Sequence, residues 1–341
     1  MMLKHCLLFI AAVGLCFACK QQPTVSLHFQ SMNLPSKASF RGMDGNNNQL
    51  WLAGSLGEIW KYEISEEKWK QVSPFKESEI QFRDVEVLGT DTVIVMTAGT
   101  PALLLRTING GKDWDTVLFD PHPDAFFDGL AFKNKQEGAL FGDPIDGVLQ
   151  VYLTQNGGLT WQKEGEQNLP ACLPMEAGFA ASGSSICYND WGLFIGLGGE
   201  QARIFHEKDS LWSVTNTPVI HGEASQGIYS IASNHNKLLL VGGQYDYPDR
   251  GPSHVTWDID SRVFKVDSHL FSYCSFVGVL DDKYAIACGP NGIFLNESSS
   301  PNWYQVADTA LHTMYLSNSS DIIYGSGADG RVFKITPTSI K

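Results

Sequence analysis

The chain has 341 residues, 43% of them hydrophobic and 18% charged, so it can bury a large core and general disorder is excluded. With 37 acidic against 24 basic side chains the formal net charge is -13, which repels a phosphate backbone and excludes nucleic acid as a partner. Glycine occurs 33 times and aromatics make up 11%, while no long segment keeps apolar residues at helical spacing; together these predict an all-β protein.

The first element is a targeting segment. Lys4 and His5 precede an apolar run over 6–17, too short to span a bilayer, and the chain turns polar at Lys20, so residues 1–18 read as a signal peptide. The stretch Cys16-Phe17-Ala18-Cys19 resembles a bacterial lipobox, which implies lipidation of Cys19 as the first mature residue. Cys16 and Phe17 depart from the usual pattern, and a cleaved, unlipidated signal peptide is the alternative. The expectation is an exported protein of the bacterial cell envelope that meets the membrane only through its lipid anchor.

From residue 40 onward the chain repeats itself. Seven short strands open with a large residue: "FRGMDG", "FRDVEV", "FDGLAF", "FAASGS", "YSIASN", "YCSFVG" and "LHTMYL". Each is followed by an apolar strand ending in or near glycine ("LWLAG", "GALFG", "LLLVG") and then by a third strand ("EIWKYE", "VLQVYLT", "GRVFKI"). A fourth element ends on tryptophan in five repeats, at Trp69, Trp114, Trp161, Trp212 and Trp303. Repeat starts lie 38 to 52 residues apart, the period of a four-stranded propeller blade. The seventh repeat has no fourth strand, whereas "TVSLHFQS" (24–31) alternates as a strand and belongs to no repeat. The prediction is a single seven-bladed β-propeller over 24–341, closed by its N-terminal strand, with 19–23 as a short tether.

Two near-copies of one phrase, "TINGGKDW" (107–114) and "TQNGGLTW" (154–161), fall in the turn between third and fourth strands. Thr and Asn can hydrogen-bond turn amides and the Gly pairs accept positive φ, so the phrase builds the fold. It resembles the Asp-box, or BNR repeat, with Asn109 and Asn156 in place of the usual Asp. Across the mature chain, "SFRG", "FRDVE", "FFDGLAF", "FGDPIDG", "EAGFAASGS", "GIYSIA" and "GPNG", in that order, resemble the bacterial propellers related to the photosystem II stability and assembly factor. Relatives of that kind are often labelled oxidoreductase; the resemblance implies the fold and carries no reaction with it.

Four cysteines remain after Cys19. Cys172 with Cys187 and Cys274 with Cys288 are one pairing of three, and buried free thiols are the alternative. No Cys/His cluster has metal-ligand spacing, Asp258 and Asp260 lack the rest of a calcium loop, and no nucleotide, haem or flavin signature is present; neither metal nor cofactor is expected.

The candidate site follows from two columns of the repeat. The opening residues Phe40, Phe82, Phe127, Phe179, Tyr229, Tyr273 and Leu311 are apolar, as joints between blades require. The next residues, Arg41, Arg83, Asp128, Ala180, Ser230, Cys274 and His312, are polar and unrepeated, as a channel lining would be. Ligand-binding candidates are Arg41, Arg83, Asp84, Glu86, Asp128, Glu176, Tyr229 and His312. The two guanidinium forks suit a carboxylate or sulfate; alternatively they neutralise Asp84, Glu86 and Asp128. Three arginines and a Phe/Tyr-Arg-Ile-Pro opening mark sialidases, and this chain has Arg41 followed by Gly42 and Met43. The reading is a binding or assembly platform for an acidic glycan or a membrane-associated protein. A glycan-active hydrolase or lyase drawing an acid/base pair from His312, Tyr229, Asp128 and Glu176 is the alternative.

Overall fold

Strand formation follows the repeat nearly residue for residue. The computed structural model describes residues 25–75, 78–267, 272–297, 300, 302–317 and 322–340, and its strands form seven antiparallel sheets of four. Blade 1 comprises Phe40–Gly45, Gln49–Gly54, Ile59–Glu63 and Lys68–Gln71 in that order. Blades 2 to 6 repeat this meander, and the first strands of successive blades meet one another round the ring, the last against the first.

Period-2 alternation explains why blades join on both faces. Leu50 and Leu52 pack with Tyr324 and Val332 of blade 7, whereas Trp51 and Ala53, between and beside them, pack with Phe82 and Val95 of blade 2. Farther round, Phe194 faces blade 5 and Ile195 faces blade 3. Each of the seven joints is one such apolar cluster, so the core is a ring of interfaces.

The ring closes as the sequence predicts. Val25–Ser31 pairs antiparallel with Val332–Ile340 and supplies the outer strand of blade 7, with Phe29 opposite Ile335 and its ring edge-on to Phe333 at 5.9 Å. No edge is left between last and first blades.

The repeated phrase is a turn, held alike in both copies. Thr107 Oγ1 accepts from Gly111 N at 3.0 Å, and Asn109 Oδ1 accepts from Asp113 N at 3.0 Å; Thr154 and Asn156 do the same for Gly158 N and Thr160 N. Gly158 has φ +73, a conformation that favours glycine, and it packs against the end of the Ile94 side chain of blade 2, 2.2 Å from where a Cβ would lie. Trp114 Nε1 donates to Val72 O of blade 1 at 2.8 Å. The turn thus clips one blade to the one before it.

One expectation needs correction. The inner strand of blade 4 is Ile186–Asn189, not "FAASGS": Gly183 takes φ +76, and residues 179–185 run as an irregular segment. Blade 5, one of the two repeats without the tryptophan, carries Phe264 on its outer strand Val263–Val266. Cys172, Cys187, Cys274 and Cys288 are free thiols, with neither pair bridged; Cys274 is packed in the joint between blades 5 and 6, its Sγ 3.4 Å from His254 Nε2. The predicted signal segment, Cys19 and the tether lie outside the described residues. Among those described, no helix is long and apolar enough to cross a membrane.

Candidate functional site at the channel mouth

The inner strands begin with an apolar residue that fills a joint, and the residue after it is skipped by the pairing. Phe40 faces Gly54 and Gly42 faces Ala53, leaving Arg41 out; Arg83, Asp128 and Tyr229 are skipped in the same way on blades 2, 3 and 5. Such a bulge takes its extra residue out of the alternation and re-aims it. The columns read from sequence slip by one at blades 5 and 6. Ile228, not Tyr229, occupies the joint, so Tyr229 takes the place equivalent to Arg41, and Ser275 lines the mouth while Cys274 is buried.

Arg41, Arg83, Tyr229 and His312 line one cavity of about 360 Å³ together with Phe179, Ala180, Ala181, Tyr245, Tyr273, Ser275 and Pro290. Its wall is aromatic: Phe179 stacks on Tyr229 with centroids 3.9 Å apart, and Tyr273 meets Tyr229 edge-on at 4.8 Å. The Tyr229 hydroxyl donates to Ser225 O at 2.9 Å, which fixes that ring.

The arginines rest on the irregular segment of blade 4. Arg41 Nη1 donates to Ala181 O and Arg83 Nη1 to Ala180 O, both at 3.1 Å. Among the described residues neither guanidinium has a carboxylate partner. A guanidinium carries five N–H donors, so most of each fork is unspent. Burial and then the Arg41 charge lower the Arg83 pKa to about 10. Burial, followed by repulsion from Arg41, Arg83 and Arg331, pushes His312 down to about 3, so its imidazole is neutral at physiological pH. In a chain of net charge -13 this cavity thus brings two guanidiniums together with no carboxylate side chain among its lining residues.

The acidic candidates stand elsewhere, which corrects the expectation that they share the mouth with the arginines. Asp84 is 5% exposed and turns its carboxylate to the amides of Val85 and Leu130, each at 2.8 Å. Glu86 lies below it near Asp44; burial, then repulsion by Asp44 and Asp84, holds its carboxyl well above the usual range. The Asp128 carboxyl is fully buried against Gly178, where a Cβ would come within 2.5 Å of its Cγ, and is raised by burial and by neighbouring Asp143. Glu176 accepts from Arg203 Nε at 2.6 Å and from its Nη2, and pins the loop at 173 through Leu173 N. None of the four lines the mouth cavity, so of the residues expected to supply an acid/base pair only His312 and Tyr229 stand there. Among the described residues no cluster of three His, Cys, Asp or Glu side chains is placed to hold a metal.

The sequence columns assign Phe179 and Tyr273 to the joints, whereas both wall the mouth, and Tyr245 and Ala181 fall in neither column. The signal that could find Tyr245 is the aromatic, proline-bearing loop 242–254.

A solved structure titled YCF48 from Cyanidioschyzon merolae superimposes with a TM-score of 0.63 at 16% identity, covering 90% of this chain and 98% of that one. Another, titled YCF48 bound to D1 peptide, gives 0.61 at 15% identity, covering 93% and 96%. The fold is shared with the YCF48 propellers. No protein-family model and no curated sequence matches the chain. YCF48 is a photosystem II assembly factor, so the likeness in fold expected from the sequence phrases is present in three dimensions. The mouth described above belongs to this chain's own residues.

Proposed function

We propose that this propeller is a protein-binding platform whose channel mouth holds a carboxylate on a partner segment. The observation that carries the reading is the Arg41–Arg83 pair: two neighbouring guanidiniums, half-buried, each held by one backbone carbonyl and otherwise free to engage an anion. Bidentate, charge-assisted contacts to a carboxylate would offset the burial and the repulsion by Arg41 that together lower the Arg83 pKa. A YCF48 relative in fold has been solved with a peptide bound, which supports a peptide as the class of ligand. The volume of about 360 Å³ suits a side chain or chain end and is too small for a folded domain. Export and attachment through a lipid on Cys19 belong to the same reading, on the strength of residues 1–23 alone, and would set the platform beside membrane-associated partners.

The test is a titration of fluorescent peptides, identical except for one carboxylate replaced by its amide, against the parent and Arg41→Ala and Arg83→Ala proteins. Each substitution should weaken the acidic peptide about tenfold, from roughly 1.5 kcal/mol of charge-assisted hydrogen bonding. The amide should bind the parent no better than the variants. Acid and amide bound alike by the parent, or an acid insensitive to both substitutions, would overturn the clamp.

A further inference from the structure

One loop leaves two large rings exposed beside the mouth. Tyr245 lines the cavity and is 59% exposed, and Tyr247, two residues on, is 56% exposed. Exposed aromatics on a loose loop would carry little meaning, but this loop is tied from several directions. Gln226 Nε2 donates to Gln244 Oε1 at 2.9 Å, and Gln244 Nε2 donates to Glu223 Oε2 at 2.8 Å. Pro248 O accepts from Tyr273 N at 2.7 Å, which joins the loop to the mouth wall, and Asp249 Oδ1 accepts from Asn291 Nδ2, also at 2.7 Å. Arg250 lies over the Tyr247 ring at 4.7 Å and pairs with Glu223 at 3.8 Å. Ordering is thus completed before any partner arrives, the condition under which an exposed aromatic surface contributes most to binding.

Charge narrows what can rest there. Asp246 and Asp249 lie on the same loop as the two tyrosines and Glu223 is tied to it, while Arg250, the loop's own cation, is already engaged. A second carboxylate on the partner would meet repulsion at this rim, whereas a flat apolar side chain would gain the tyrosine faces. Resting on the reading of the mouth as a carboxylate clamp, we propose that the partner segment carries a large apolar or aromatic residue next to its acidic group, and that Tyr245 and Tyr247 form the shelf that receives it. Arg41 and Arg83 select for the charge, and the shelf selects its neighbour.

Three peptides of equal length separate the two layers of the argument, with a carboxylate flanked by Phe, by Ala or by a second acid. The parent should bind the Phe peptide roughly tenfold tighter than the Ala peptide, in line with losing one aromatic contact patch, and the two-acid peptide weakest. Tyr245→Phe should keep the preference, while the Tyr245→Ala, Tyr247→Ala double variant should bind Phe and Ala peptides alike; circular dichroism melts establish that it is folded. Arg-dependent binding without a Phe preference, or a preference that survives the double variant, overturns the shelf and leaves the clamp standing. No Arg-dependent binding of any peptide overturns the clamp and the shelf with it. An acidic oligosaccharide that outcompetes all three peptides at the mouth overturns both.

Discussion

The channel mouth and the belt beneath it are built from neighbouring residues of the same strands, yet one presents guanidiniums and the other carboxyls. On blade 2, Arg83 gives its guanidinium to a carbonyl of the blade 4 segment, while Asp84, the next residue, gives its carboxylate to two amides. Asp44 and Glu86 continue the acidic belt on blades 1 and 2. The bulge at Arg83 separates the two, because the residue skipped by the pairing is aimed apart from the one that resumes it. A basic and an acidic side chain adjacent in sequence therefore each find backbone partners instead of each other. The mouth stays a cationic site with donors to spare, and the belt stays a set of carboxyls with raised pKa values.

That contrast depends on a closed ring, so the severest way to break it is to open the ring. Deleting residues 25–31 removes the outer strand of blade 7, exposes the edge at Val332–Ile340 and strips half-buried Leu27 and Phe29 from the joint between blades 6 and 7. Each apolar side chain contributes about 1.5–3 kcal/mol when fully buried, and loss of closure adds to that, so the truncated protein should melt at least 10 °C lower and without a single sharp transition. A truncation that melts like the parent would show that the last blade does not need its N-terminal strand.

How much of this was readable beforehand depended on which physical signal was asked to carry it. Blade count, closure and the turn at 107–114 follow from alternation and glycine punctuation, local signals that the chain writes directly. Arg41 and Arg83 were legible because the bulge leaves the spacing after Phe40 and Phe82 unchanged. Tyr229 was named, but in the wrong column, since a large aromatic reads as a joint filler whether it faces a joint or the channel. The destinations of Asp84, Asp128 and Glu176 were not legible at all. Their partners are amides, Asp143 and Arg203, contributed by other strands and loops whose approach no periodicity encodes.

The belt can be sharpened through pH. Burial foremost raises the Asp44 carboxyl to about 7, although Val87 N and Gly45 N stabilise its charged form. In the unfolded chain the same group titrates near its ordinary value of 3.8. Between about pH 4 and pH 7 the folded belt keeps a proton that the unfolded chain has released, so the stability associated with this group is full below pH 4 and is lost as pH rises through 7. Asp44→Asn keeps an oxygen for Val87 N and removes the titration. Relative to the parent it should gain stability steadily from pH 4 to pH 7.5, on the order of 2 °C in melting temperature by the upper end. A gap between variant and parent that stays constant, or widens towards acid, would mean that the belt ionises like exposed carboxyls.

The smallest expected effect is the most discriminating. If the mouth arginines served to neutralise the acidic residues, Arg83→Ala would strand a buried carboxylate and cost about 3–5 kcal/mol. In the structure Arg83 meets Ala180 O and no carboxylate among the described residues, so the variant forfeits one hydrogen bond, worth about 1 kcal/mol. It also relieves a guanidinium whose lowered pKa records the opposing costs of burial and of Arg41. These contributions have opposite sign, and the melting temperature should stay within about 2 °C of the parent at neutral pH. Arg83→Ala and Asp84→Asn should then combine additively, because each residue answers to a different part of the backbone. A large drop for Arg83→Ala that Asp84→Asn restores would join mouth and belt into one network and make the arginine a structural counter-ion.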